Sequence, residues 1–337
     1  LDVTRMSAIV DQIVWLRQHH YEVILVSSGA MASGRGELQT NRKLNSVAQR
    51  QLFSALGQAK LIGLYYDLFR EYNLHVGQVL TMKESFSTRM EYLNQRSCMN
   101  IMLENGVIPI VNENDTISVT ELMFTDNDEL SGLIASMMQA DTLIILSNVN
   151  GIYNGAPNDP QAQVIPVIYH NHDVSDYILD EKSDFGRGGM ITKCRIARKV
   201  ADEGIRVVIA NGKTDNILIN LFERKMETMH TEFVPNPNAV SPVKKWIAHS
   251  DSFAKGVVTI NSNAARALQG SKAVSLLLVG VIGISGDFEE GDIINIAEEN
   301  GNIIAIGRSG YSSREALQFM GSHDKKPIVH YDYLYME

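Results

Sequence analysis

The chain has 337 residues, 45% of them hydrophobic and 20% charged, enough to bury one large core and a second, smaller one. A formal charge of -9 excludes a global electrostatic attraction for a phosphate backbone or an anionic membrane. The two cysteines, Cys98 and Cys194, show neither CxxC spacing nor a disulfide framework, and no apolar run approaches the roughly 18 residues that cross a bilayer, so the sequence reads as a soluble, cytoplasmic protein.

The first pattern is helical: Met6, Ile9, Val10, Ile13, Val14 and Leu16 recur at helix spacing behind Asp2 or Thr4 as cap. An α/β fold usually sets a strand before such a helix, so either the domain opens with a helix or its first strand precedes Leu1. From Glu22 to about Gly212 short β-branched runs alternate with helical patterns, the signature of a mainly parallel sheet covered by helices. The predicted strands are Val23–Val26, Val76–Leu80, Val107–Val111, Leu143–Leu146 and Val207–Ile209, and the predicted helices Asn45–Tyr72, Arg89–Asn105, Asp128–Ala140 and Met190–Glu203. Four strands run into polar or glycine-rich stretches: Ser27 to Ala30, Asn112 to Asp115, Ser147 to Gly151 and Ala210 to Gly212. Ligands of open α/β sheets bind beyond the carboxyl ends of strands, so these loops are expected to converge on one site.

Phe233 to Val243 holds three of the eight prolines and no charge, a linker composition. Beyond it the texture turns to short strands at Val279–Ile284, Ile293–Ile296 and Ile303–Ile306 with tight turns between, which predicts a small antiparallel barrel or sandwich. Asn300-Gly301 predicts a two-residue hairpin with both turn positions at φ > 0. The expected division is a first domain over 1–234, a linker over 235–243 and a second domain over 244–337.

Three loops can carry chemistry. Gly186-Arg187-Gly188-Gly189 opens onto a helix starting Met190-Ile191-Thr192-Lys193; its glycines let backbone N–H groups approach a polyphosphate, the helix N-terminus adds positive potential, and Lys193 can meet developing charge. An ordinary turn before a helix is the alternative, and the spacing is not that of a Walker A loop. Seven acidic or amide residues, Asn112 to Asp115 and Asp126 to Asp128, form a cluster able to take an ammonium group, a metal ion or both, with at least one of Asp126 and Asp128 expected merely to cap a helix. Ser27-Ser28-Gly29-Ala30 offers hydroxyls and N–H groups to an oxyanion; it lacks a nucleophile elbow, so a nucleophilic serine is set aside. The nine histidines, His170 and His172 among them, have no zinc-ligand spacing, so no zinc site is expected and no residue is assigned as a metal ligand.

These loops, in this order, resemble the amino-acid kinase family through Ser28-Gly29-Ala30, Asn112 to Asp115, Asp126-Asn127-Asp128, Ser147-Asn148 with Gly151-Ile152-Tyr153, Gly188-Gly189-Met190 with Thr192-Lys193, and Ile209 to Gly212. The tail resembles a PUA domain, an RNA-binding-type module, through Lys244-Lys245-Trp246, Ala264 to Leu268, Gly286-Asp287-Phe288, Tyr311-Ser312-Ser313 and Val329 to Asp332. The resemblance implies a mainly parallel sheet sandwiched by helices plus a small β-barrel-like C-terminal domain. It implies ATP- and Mg²⁺-dependent phosphorylation of the side-chain carboxylate of free L-glutamate, the first step of proline biosynthesis, with proline as a competing feedback inhibitor and a homo-oligomeric (dimeric or tetrameric) state.

By the same resemblance Ser28, Asp115 and Asn127 are glutamate-binding positions, Ser147 and Asn148 nucleotide contacts, Arg187 to Lys193 the phosphate-binding loop, and Lys193 and Asp128 the catalytic pair, with Asp128 orienting lysine. Family members open with a strand ending in a lysine-bearing loop that contacts the transferring phosphate, and that segment is expected to precede Leu1 in the natural protein. Ser147-Asn148 stands where the family usually has Thr-Asp, and Arg187 replaces a small residue. Other carboxylate kinases and uridylate kinase share the sheet and lysine loop, whereas Asp115 with Asn127 and the PUA tail argue for free glutamate. A regulatory RNA-binding protein on a degenerate kinase scaffold is the alternative from another class; residues 244–337 carry nine Lys and Arg against eleven Asp and Glu, a poor balance for phosphate-backbone affinity.

Overall fold

The computed structural model describes residues 2–38, 44–86, 89–117, 127–155, 161–169, 190–224, 227–237, 254–270 and 274–336. The chain divides into two units, residues 1–82 with 95–239, and residues 83–94 with 240–337. Residues 83–94 fall inside the span that the sequence assigned to the first domain. They hold a 3₁₀ turn at Lys83–Phe86, and Phe86 and Tyr92 within them are 1% and 5% exposed.

In the first unit, helix α1 (Val3–Gln18) starts where Asp2 Oδ1 accepts from the Arg5 N–H at 3.0 Å, so Asp2 is the cap. Strands β1 (Leu25–Val26), β2 (Val76–Thr81) and β3 (Ile108–Glu113) form a parallel sheet in the order β1-β3-β2. Strands β4 (Thr142–Ser147), β5 (Val167–Ile168), β6 (Arg206–Asn211) and β7 (His230–Phe233) form a second, ordered β4-β6-β7-β5, in which only the β6–β7 pair is antiparallel. Helices α2 (Ala30–Arg35), α3 (Ser46–Arg70), α4 (Arg89–Glu104, whose residues up to Asn94 group with the second unit), α5 (Asn127–Met138), α6 (Met190–Asp202) and α7 (Ile217–Glu223) connect them.

The period-two alternation of β6 shows how both faces are covered. Val208 and Ala210 join the core formed with Val10 and Ile13 of α1, Leu61 and Phe69 of α3, and Ile217 and Leu221 of α7. Val207 and Ile209 join the opposite core with Cys194, Ala197 and Val200 of α6. A strand buried on both faces needs apolar residues at every position, which is why Val207 to Ala210 reads as an unbroken run.

One helix crossing fixes the start of the site. A Cβ on Gly57 of α3 would lie 1.7 Å from the Ala30 carbonyl oxygen, and one on Gly34 of α2 would lie 1.8 Å from that of Phe53. The two backbones therefore touch, and α2 has one permitted position against α3.

The second unit holds β8 (Gly256–Ile260), α8 (Ser262–Leu268), β9 (Val281–Gly286), β10 (Ile293–Glu298), β11 (Ile303–Arg308), α9 (Ser313–Phe319) and β12 (Leu334–Met336). Its sheet runs β12-β11-β10-β8-β9 around a core of Val258, Ile260, Phe288, Ile294, Ile296, Ala305, Ile328 and Val329. Two differences from the sequence expectation have physical causes. Strand β10 lies parallel to β8, because the antiparallel β9 occupies the other edge of β8 and the chain reverses twice before returning. At the β10–β11 turn only Gly301 has positive φ, at 85°; its N–H bonds the Glu298 carbonyl at 2.9 Å, so Glu299 and Asn300 form the turn and Gly301 is the left-handed residue that follows.

Candidate active site

Strand β3 stays buried to its polar end, with Asn112 and Glu113 only 3% and 5% exposed. Buried polar groups need partners, and α3 supplies them from one face. Asn112 Nδ2 donates to Gln58 Oε1 at 3.0 Å. Arg50 Nη2 donates to Glu113 Oε2 at 3.0 Å while Arg50 Nε donates to Asp115 Oδ1 at 2.6 Å. Ser54 Oγ donates to Asp115 Oδ2 at 3.1 Å, and Gln51 Nε2 to the Thr116 carbonyl at 3.0 Å. Arg50, Ser54 and Gln58 are spaced by four, so one row of α3 holds residues 112–115 in place.

The end of β1 meets this tip. The Ser27 N–H donates to the Val111 carbonyl at 2.9 Å, and the buried Ser27 hydroxyl lies 2.8 Å from the Tyr65 hydroxyl of α3. Burial pushes the Tyr65 phenol above its ordinary pKa, with the Ser27 bond acting in the opposite sense. Ser28 is exposed beside Ser27, and Gly29, at φ 103°, turns the chain into α2. Asn127, the first residue of α5, donates from Nδ2 to the Ser27 carbonyl at 3.0 Å and sits 3.4 Å from Asn112 Oδ1. Ser28, Asp115 and Asn127 thus belong to one connected set of strand tips.

Its neighbour Asp128 pairs with Lys193 Nζ across the first turns of α5 and α6, both side chains more than four-fifths buried. The pairing requires the two helices to pack closely; a Cβ on Gly132 would come within 3.0 Å of Ile196 Cγ2. Asp128 therefore uses its side chain on lysine rather than as a cap. Met190, Ile191 and Thr192 occupy the turn of α6 that leads to Lys193. Arg187, Gly188 and Gly189 lie outside the described residues, as do Thr125, Asp126, His170 and His172.

The remaining tip is that of β4 and β6, where Ser147 is paired with Asn211. The Gly212 N–H donates to the Ser147 carbonyl at 2.8 Å, Asn211 Nδ2 donates to Asn150 Oδ1 at 2.9 Å, and Ser147 Oγ lies 3.4 Å from Asn148 Oδ1. This amide-rich tip is built from its own bonds. The structure joins Ser27, Asn112, Glu113, Asp115, Asn127, Asp128 and Lys193 by hydrogen bonds and chain adjacency, and places Ser147 and Asn148 at the second sheet's carboxyl edge. Sequence reasoning missed Arg50, Ser54, Gln58 and Tyr65; the signal was a polar row at helical spacing leading into the buried Leu61, Tyr65 and Phe69.

A paired lysine and carboxylate at two helix starts, next to amide and carboxylate strand tips, suits phosphoryl transfer, in which positioning and charge stabilisation dominate. Known proteins agree. The sequence matches the amino acid kinase family over residues 2–211 and the PUA domain over residues 256–331. It is 63% identical over 337 residues to "Glutamate 5-kinase" of Bacteroides thetaiotaomicron, covering 100% of this chain and 94% of the relative. It is 44% identical to "Glutamate 5-kinase" of Chlorobaculum tepidum, covering 100% of this chain and 92% of that one, and 36% identical to the protein of the same name from Caldanaerobacter subterraneus subsp. tengcongensis, covering 99% and 90%. The chain belongs to the amino acid kinase family, among its glutamate 5-kinases, and carries a PUA domain as its C-terminal part.

Proposed function

We propose that this chain transfers the γ-phosphoryl group of ATP to the side-chain carboxylate of L-glutamate, the opening step of proline biosynthesis. The observation that carries the reading is the Lys193–Asp128 pair, set one residue away from Asn127 and so joined to the β1 and β3 tips. A glutamate side chain, with an unperturbed pKa of about 4.3, is already a carboxylate at neutral pH and attacks phosphorus without a general base. What remains for the protein is alignment and positive charge. Lys193 supplies charge to the transferring group, and Asp128 aims it. Ser28, Asp115 and Asn127 hold the amino acid, with the Asp115 carboxylate facing its ammonium group.

Ser147 and Asn148 at the β4 tip take the nucleotide, and the segment from Arg187 to Thr192 leads its phosphates to Lys193. Mg²⁺ enters with the nucleotide, because that ion binds phosphate oxygens and waters with few protein ligands; among the described residues no group of three or more His, Cys, Asp and Glu is placed to hold a metal. Proline is read as a competitor for the glutamate positions, with the stretch from Asn114 to Thr125 as the place to seek its effect. The test is to incubate the protein with L-glutamate, ATP, Mg²⁺ and hydroxylamine and follow the hydroxamate trapped from the acyl phosphate. Glutamate-dependent hydroxamate is expected, and its absence with active ATP and intact protein would count against this reading.

A further inference from the structure

Arg50 has no place in the chemistry just described, yet it reaches across 63 and 65 positions of sequence to two carboxylates at once. Its guanidinium is a rigid planar fork, and here each arm takes a different acid: Nη2 takes Glu113, which is fixed in β3, and Nε takes Asp115, two residues beyond on the loop. Ser54, one turn along the same helix, holds the second oxygen of Asp115. The Asp115 carboxylate is therefore fixed in both position and plane. Without the guanidinium, two carboxylates two residues apart would repel, and the one on the loop would be free to turn away. Each carboxylate oxygen carries two lone pairs, so after accepting from Arg50 and Ser54 Asp115 still has acceptor directions, and its side chain keeps 13% of its surface exposed to solvent.

We propose that Arg50 is a positioning and specificity-determining residue: it holds Asp115 aimed at the α-ammonium group of the substrate, so that the site selects an amino acid over a dicarboxylate of the same length without that group. The inference rests on the substrate reading above. Lysine at this position would keep the charge and lose the fork; glutamine would lose both. Ser54 is the second contact of the same device, and its removal has a smaller effect of the same kind.

The experiment compares wild type, Arg50→Gln, Arg50→Lys and Ser54→Ala in the hydroxamate assay, with glutarate scored by its inhibition constant against glutamate. Arg50→Gln is expected to raise the glutamate KM by about tenfold or more, as for loss of a charge-assisted hydrogen bond. The ATP KM, kcat and the glutarate inhibition constant are expected to stay unchanged. Arg50→Lys should lie between Arg50→Gln and wild type, and Ser54→Ala should shift the glutamate KM by a smaller factor, again leaving glutarate unmoved. If Arg50→Gln fails to fold, the same contrast is read in the other two variants. Equal loss of affinity for glutamate and glutarate, or an unchanged glutamate KM, would overturn the inference and make Arg50 a brace between α3 and β3. A wild type that phosphorylates glutamate while these contrasts fail sinks the inference alone; a wild type that ignores glutamate sinks the substrate reading with it.

Discussion

Two side chains set the strongest residue-scale expectations. Lys193→Met removes the cation paired with Asp128. A preorganised charge aimed at a transferring phosphoryl group contributes about a hundredfold or more to rate, so kcat should fall by that factor while the glutamate KM moves little. Initial rates of hydroxamate formation decide it; loss confined to KM would show that the lysine binds substrate rather than stabilising the transition state. The cysteines make a second contrast. Cys194 is buried in the α6 face, and burial pushes its thiol up to about 11, whereas Cys98 is exposed. At pH 8 only about one Cys194 in a thousand would be thiolate, and that fraction rises with pH, so a disulfide reagent should titrate one thiol per native chain and a second only after unfolding. The prediction is wrong if both react at the same rate in native protein. Of the site itself, the polar strand tips and the glycine-rich helix start marked the loops around Ser28, Asp115, Asn127, Asp128 and Lys193, and the resemblance to the amino-acid kinase family supplied the role expected of each. Arg50 was not, because a charged residue near the start of a long helix looks like part of a solvated face until its two acids, more than sixty positions away, fold against it.

At the scale of elements, hydrophobic periodicity located the main helices to within two residues at each end and the parallel strands to within two. It failed where an element owes its existence to its surroundings. Helix α2 is six residues long and contains Gly34, too short to show a period; β7, His-Thr-Glu-Phe, is polar at three of four positions and is a strand because β6 offers it an edge; β5 has two residues. The α2–α3 crossing tests how much such context matters. Gly57→Ala must displace the Ala30 carbonyl, whereas Gly63, on the same helix, has open space around it. Gly57→Ala should cost about 1–3 kcal/mol and weaken activity by moving the Ser27–Gly29 turn. Gly63→Ala should be neutral or stabilise by up to about 1 kcal/mol. Thermal melts of the two variants give the comparison, and equal behaviour would mean that the crossing tolerates separation.

At the scale of the whole molecule, the second unit has one apolar core and the first has two, one on each face of β6, and no helix among the described residues is long and apolar enough to cross a membrane. The change from alternating to hairpin texture set the expected start of the second domain at residue 244, after a linker over 235–243. It could not foretell that residues 83–94, bracketed by first-unit sequence, would group with the C-terminal residues, since that assignment depends on tertiary packing of a short turn and the start of α4. The polypeptide accordingly passes between units at three points, after Met82, after Asn94 and after Ala239.

A chain that passes between two units three times is not divided by cutting it once. If an engineered protease site between Ala239 and Val240 is cleaved, the two fragments should still elute together from a sizing column under native conditions and part only in denaturant. Because the twelve residues from Lys83 to Asn94 group with the C-terminal residues, deleting the C-terminal part is expected to take neighbours from the middle of the remaining chain rather than trim an appendage.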